Sequence, residues 1–102
     1  MNTVMVRYQV KPDRVEENRA YIAPVFDALN ATRPAGLRYA SFQMPDGVSF
    51  VHMVTVSTDD GESPLAKLQP FKDFVADIGA RCDVPPEITE LSLVGNYKLV
   101  GA

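Results

Sequence analysis

The chain has 102 residues, is 46% hydrophobic and 23% charged, and carries a net charge of −3 with a pI near 5.0. That length suits one domain spanning 1–102, and the acidic balance excludes the basic footprint of a nucleic-acid or anionic-membrane binder. The single cysteine, Cys82, excludes an intramolecular disulfide and suits the reducing cytoplasm.

The first residues are too short an apolar run for a secretory leader, and no run reaches transmembrane length. Val4, Val6, Tyr8 and Val10 alternate with Met5, Arg7 and Gln9, which predicts a strand over 3–10. A helix follows over about 13–32. Asp13 is its expected cap, with Glu16 three residues on. Val15, Ile22, Val25, Phe26 and Leu29 form its apolar stripe. Pro24 should kink it, and Pro34-Ala35-Gly36 should stop it.

Residues 37–44 and 48–57 read as a hairpin around Pro45-Asp46-Gly47. A type I turn with a left-handed glycine would form a three-residue loop. Met44 would then pair with Val48, Phe42 with Phe50, and Ala40 with His52. In that register Ala40, Phe42, Phe50, His52, Val54 and Val56 share one face. Leu37, Tyr39, Val51 and Met53 share the other.

Ser63-Pro64 starts a second helical region, as cap and first-turn proline. Pro70 should break it into a short and a longer piece. Phe71, Phe74, Val75, Ile78 and Cys82 keep helical spacing to its expected end at Cys82. Pro85-Pro86 closes the connection, and residues 87–99 read as the last strand, with a bulge or bend at Gly95-Asn96.

Two amphipathic helices must cover one sheet face, and the face carrying Phe42, Phe50 and Val54 is the richer. The uncovered face would expose Leu37, Tyr39, Val51 and Met53, which argues for a homodimer packed through the open sheet face.

The order β-α-β-β-α-β predicts an α+β, ferredoxin-like fold with a four-stranded antiparallel sheet. More closely, the chain resembles the antibiotic biosynthesis monooxygenase-like domains of the dimeric α+β barrel superfamily. The residues that carry this are 4–12, from Val4 to Pro12, which lead into an acidic helix start. Residues 50–56 also carry it, followed by an acidic loop and the spacing Leu65, Leu68, Phe71, Phe74. The resemblance implies a face-to-face dimer and a ligand cleft between helices and sheet. In that family some members oxidise aromatic polyketides without metal or flavin, others degrade haem, and many have no known activity. The haem-degrading branch uses a helix histidine, whereas His52 here is on a strand, so that branch fits poorly.

His52 is the candidate catalytic acid–base group, set mid-strand on an apolar face. Tyr8, Tyr21 and Phe50 are the candidate ligand-binding residues, since aromatic rings with a polar tip suit an aromatic or hydrophobic small molecule. Two functions are expected from different classes: a cofactor-independent monooxygenase-like enzyme, or a non-catalytic ligand-binding or stress-related dimer in which His52 is structural. Arg7 is placed on the dimer face, and Arg38 at the cleft rim. Cys82 reads as structural, because a helix C-terminus does not activate a thiol.

No cofactor is expected. One histidine and one cysteine cannot supply zinc's usual ligands. Asp59-Asp60-Gly61-Glu62 lacks the spacing of an EF-hand calcium loop. An RNA-recognition domain shares this element order. Here Asp46 replaces its basic residue, and two of its three stacking aromatics are missing, so that function is rejected.

Overall fold

The computed structural model describes residues 2–99, so both ends of the expected 1–102 domain lie outside the described residues. Strand β1 is Asn2–Val10 and leads through a 3₁₀ turn at Pro12–Arg14 into helix α1, Val15–Thr32. Strands β2, Leu37–Gln43, and β3, Ser49–Val56, form the hairpin. A 3₁₀ turn at Pro64–Lys67 precedes α2, Gln69–Ala76, and α3, Ile78–Arg81, before β4, Cys82–Leu91. The order in the sheet is β2-β3-β1-β4, with every neighbouring pair antiparallel. This is the expected α+β, ferredoxin-like arrangement.

The helices cover one face. Tyr8, Val10, Val25, Phe50, Leu65 and Phe74 form its buried centre, with Val6, Tyr39 and Val54 among the partly buried groups around them. Helix α1 starts without the expected cap. Pro12–Arg14 is a 3₁₀ turn, and neither it nor α1 has a side-chain cap hydrogen bond. The helix runs through exposed Pro24 as one segment. It ends where Arg33 turns left-handed, at φ 46°, and donates its N–H to the Leu29 carbonyl. In the second helical region Ser63 does cap, its hydroxyl accepting from the Leu65 N–H at 3.3 Å. The expected break at Pro70 falls at Leu68, which is extended.

Three further expectations are corrected. The first concerns the β2–β3 register, where Ser41 opposes His52, Phe42 opposes Val51 and Gln43 opposes Phe50. Gly47 does adopt positive φ, +79°. The loop nevertheless holds four residues, because Met44 pairs with Ser49 through an N–H to carbonyl bond of 2.8 Å. Val48 is drawn off the hairpin, since its carbonyl accepts from Val10 of β1 at 2.9 Å. The Asp46 carboxylate accepts the N–H groups of Val48 and Ser49, at 3.0 and 2.8 Å, and the Ser49 hydroxyl at 2.6 Å. Those hydrogen bonds hold its pKa below the usual carboxylate value.

A one-residue slip inverts β2 relative to β3. Leu37 and Tyr39 therefore pack under the helices. On the open face, adjacent pairs bring Phe42, Val51 and Arg7 into one row and Ala40, Met53 and Met5 into the next.

The second correction concerns the approach to β4. Cys82 begins that strand instead of ending a helix, and Pro85-Pro86 lie within it. Strand β4 is an edge strand, where a missing N–H is tolerated, and the pairing with β1 shifts register beside the prolines. The third is the strand's length: it stops at Leu91, and residues 92–99 are not strand.

Candidate functional site

Between α2, α3 and the sheet lies a cavity of about 280 Å³. Val6, Val54, Phe71, Phe74, Val75, Ile78, Pro86 and Ile88 make most of its wall apolar, and Tyr8, Tyr39 and His52 are its polar lining residues. The ladder explains why they meet. His52 pairs with Val6, and Val6 with Ile88, so one row crosses β3, β1 and β4 on the helix side. Phe71, Phe74, Val75 and Ile78 come down onto that row from α2 and α3, at the spacing of one helical face. Ile88 is 70% exposed, which puts it at the rim.

His52 is 3% exposed, and both ring nitrogens are engaged. The Tyr8 hydroxyl lies 2.7 Å from Nε2. The Tyr39 hydroxyl lies 2.6 Å and the Ser41 hydroxyl 2.9 Å from Nδ1. The Phe74 ring stacks on the imidazole, with centroids 5.4 Å apart. Burial disfavours the imidazolium and lowers the His52 pKa to about 4. The imidazole is therefore neutral across the physiological range.

Burial acts oppositely on the phenols. Tyr39 is pushed up to about 12, and the hydrogen bond from Ser41 only partly offsets this. Tyr8 is raised further by burial, against the pull of Asn18. Both tyrosines keep their protons at neutral pH.

The polar chain continues behind Tyr8. Asn18 of α1 donates Nδ2–H to the Tyr8 hydroxyl at 3.0 Å. Its Oδ1 accepts from Arg81 Nε at 3.2 Å. Arg81 is fully buried, at 0% exposure. Its Nη2 donates to the Phe74 carbonyl at 2.8 Å, and its guanidinium carbon lies 4.4 Å from the Tyr21 ring centroid. Nη1 is buried without a hydrogen-bond partner.

Of the candidate residues, the structure brings Tyr8 and His52 to the cavity. Phe50 is buried beside them, its ring stacked on Tyr8 at 5.7 Å, but it does not line the cavity. Tyr21 covers Arg81 and also lies outside the lining. Arg7 and Arg38 are exposed, with Arg7 opposite Val51 and Glu87. Cys82 is partly buried, and burial raises its thiol pKa.

Sequence reasoning missed Tyr39, Ser41, Asn18 and Arg81. Tyr39 and Ser41 followed from the misplaced hairpin. The other two carried a signal: Asn18 falls on the apolar stripe between Val15 and Ile22, and Arg81 follows Phe74 and Ile78 at helical spacing. A polar residue on a buried stripe needs a partner. Among the described residues no group of three His, Cys, Asp or Glu side chains could hold a metal, and no helix is long and apolar enough to cross a membrane.

No family model matches the chain, and no curated protein matches it. Solved structures do. Rv0793 from Mycobacterium tuberculosis superposes with a TM-score of 0.75 at 18% identity, covering 95% of this chain and 98% of that one. An antibiotic biosynthesis monooxygenase gives 0.75 at 16%, covering 93% and 100%. A mutant of SnoaB, a cofactor-independent oxygenase from Streptomyces nogalater, gives 0.68 at 17%, covering 95% and 96%. The chain thus has the fold of antibiotic biosynthesis monooxygenase-like proteins.

Proposed function

We propose that this protein is a small cytoplasmic homodimer that binds an aromatic or hydrophobic small molecule in the helix–sheet cavity and oxidises it by cofactor-independent, monooxygenase-like chemistry. The observation that carries the proposal is the cavity itself: an apolar chamber lined by a neutral histidine hydrogen-bonded to two protonated tyrosines. An apolar wall with a few convergent polar groups is the general form of a small-molecule site. The similarity to SnoaB, a cofactor-independent oxygenase, supports the reaction class by analogy of fold.

Such a reaction balances with the substrate as reductant. Two hydrogens leave a ring carbon, one atom of O₂ becomes its carbonyl oxygen, and the other leaves as water. His52 is the acid–base group of this proposal. Because both its nitrogens are engaged, it exchanges protons with the substrate through a tyrosine hydroxyl.

The same engagement favours a second reading, in which the pocket binds a ligand without turning it over and His52 is structural. A thermal-shift screen of polycyclic phenols and ketones, followed by oxygen uptake on every hit, separates the two. Hits should raise Tm in the wild type and be lost in Ile88→Trp, which fills the rim from an exposed position. Oxygen uptake with the hits supports the enzyme; stabilisation without uptake supports the binding protein. A panel in which nothing binds, or in which Ile88→Trp leaves binding intact, overturns both.

A further inference from the structure

We infer that Arg81 and Asn18 are positioning residues that order the protons of the Tyr8–His52–Tyr39 chain in one direction, and that Tyr39 is the group that donates to a ligand oxygen in the cavity. The buried end of the chain fixes the order. Arginine has donors only. Its Nε–H toward Asn18 therefore requires an oxygen there, which fixes the amide with Oδ1 to Arg81 and Nδ2 to Tyr8.

Tyr8 thus accepts from Asn18, and its own proton must go elsewhere. Tyr8 is only 1% exposed, and among the described residues its remaining hydrogen-bond partner is His52 Nε2 at 2.7 Å. Nε2 must then be the lone-pair nitrogen. A neutral imidazole has one N–H, so that proton sits on Nδ1. It points to the hydroxyls of Tyr39 and Ser41. In the opposite order Tyr8, at 1% exposure, would accept twice and leave its proton with no protein acceptor among the described residues, which is the costly arrangement.

With Nδ1–H donating, His52 cannot take the Tyr39 proton, and with the Ser41 hydroxyl donating to Tyr39 that proton has no remaining protein acceptor among the described residues. Tyr39 is half-buried and lines the cavity, so the proton is available to whatever fills it. Each donor points the same way from Arg81 to Tyr39, and hydrogen bonds aligned in this way polarise one another. Arg81 is also a buried cation with no carboxylate bonded to it among the described residues, so its field favours electron density at the far end. The ligand chemistry this selects is a carbonyl oxygen on an apolar frame. This last step rests on the cavity being a ligand site, as proposed above; the proton order does not.

The chain has one histidine, so its nitrogens can be read without overlap. Nitrogen-15 shifts of His52 in the wild type should show Nδ1 protonated and Nε2 bare. Asn18→Asp keeps the shape but replaces the donor to Tyr8 with an acceptor. Tyr8 should then donate to residue 18, and His52 should switch to the Nε2–H form. Nε2–H in the wild type overturns the proton order, whether or not the variant folds. So does an unchanged tautomer in folded Asn18→Asp.

The donor role is tested with fluorenone and fluorene, which share a frame and differ in one carbonyl. The ketone should bind the wild type about fivefold more tightly, the scale of one neutral hydrogen bond. Tyr39→Phe should erase that preference while leaving fluorene binding unchanged. Equal binding by the wild type, or a preference that survives Tyr39→Phe, overturns the role given to Tyr39. Failure of both compounds to bind counts against the ligand site and against that role together, while the nitrogen shifts still decide the proton order.

Discussion

Ser41, and not Ala40, stands opposite His52 across the β2–β3 pair. Its hydroxyl reaches Nδ1 at 2.9 Å. The same register brings Tyr39 under the helices, where its ring stacks on Phe26 with centroids 5.0 Å apart. The candidate site therefore depends on one residue of register in a hairpin. Adjacent substitutions should report it. Ser41→Leu would force a larger apolar group beside His52 and remove a hydrogen bond, costing about 1–3 kcal/mol. Ala40→Leu points to the open face and should change monomer stability by no more than about 0.5 kcal/mol. Denaturant unfolding compares them, and the reverse ranking would refute the register.

The pH dependence of stability follows from His52. Its folded pKa is about 4, against 6.5 for an imidazole free in water. Between those values the unfolded chain binds the proton and the folded chain does not. Stability contributed by this group is full above about pH 6.5 and is lost as pH falls toward 4. The loss should approach about 3 kcal/mol, at 1.36 kcal/mol per pKa unit. An NMR titration of this single histidine gives the folded value directly. A midpoint near 6.5 would contradict the burial of the ring.

Two glycines should respond differently to alanine. Gly47 has φ +79° and open space where a Cβ would project. Gly47→Ala should cost only the left-handed strain, about 1 kcal/mol. Gly36 has φ +77°, and a Cβ there would lie 2.9 Å from Thr58 Cγ2 and 3.0 Å from the Ser57 carbonyl oxygen. Gly36→Ala should therefore cost clearly more than Gly47→Ala. Thermal unfolding of the pair, if it gave equal losses, would show that the strand end relaxes around the new methyl.

Correcting the register also changes the proposed dimer face. Phe42, 50% exposed, now lies on the open side with Val51, Met53 and Met5, while Leu37 and Tyr39 leave it. A homodimer through this face would cover those groups. Phe42→Asp and Met53→Asp should each shift sedimentation at micromolar concentration toward the monomer. A wild-type monomer, or a dimer indifferent to both changes, would remove the sheet-to-sheet assembly.

Element order was legible in the residues. Alternation in β1, the helical spacing of Phe71, Phe74 and Ile78, and the Ser63 cap are local properties that neighbouring residues specify among themselves. Local pattern also put His52 and Tyr8 on the helix side, because β1 and β3 carry unambiguous alternation. What it could not decide was which face of β2 joins them. Leu37, Tyr39, Ser41 and Ala40, Phe42 are both plausible inward sets, and the left-handed Gly47 fits a three- or four-residue loop. The choice was made by Val10 of β1, which takes the carbonyl of Val48 and so lengthens the loop. The same holds for Asn18 and Arg81, 63 residues apart in the chain. A buried polar group announces that it needs a partner; only tertiary packing supplies the partner, because the alternative is an unpaired polar atom in a site closed to water.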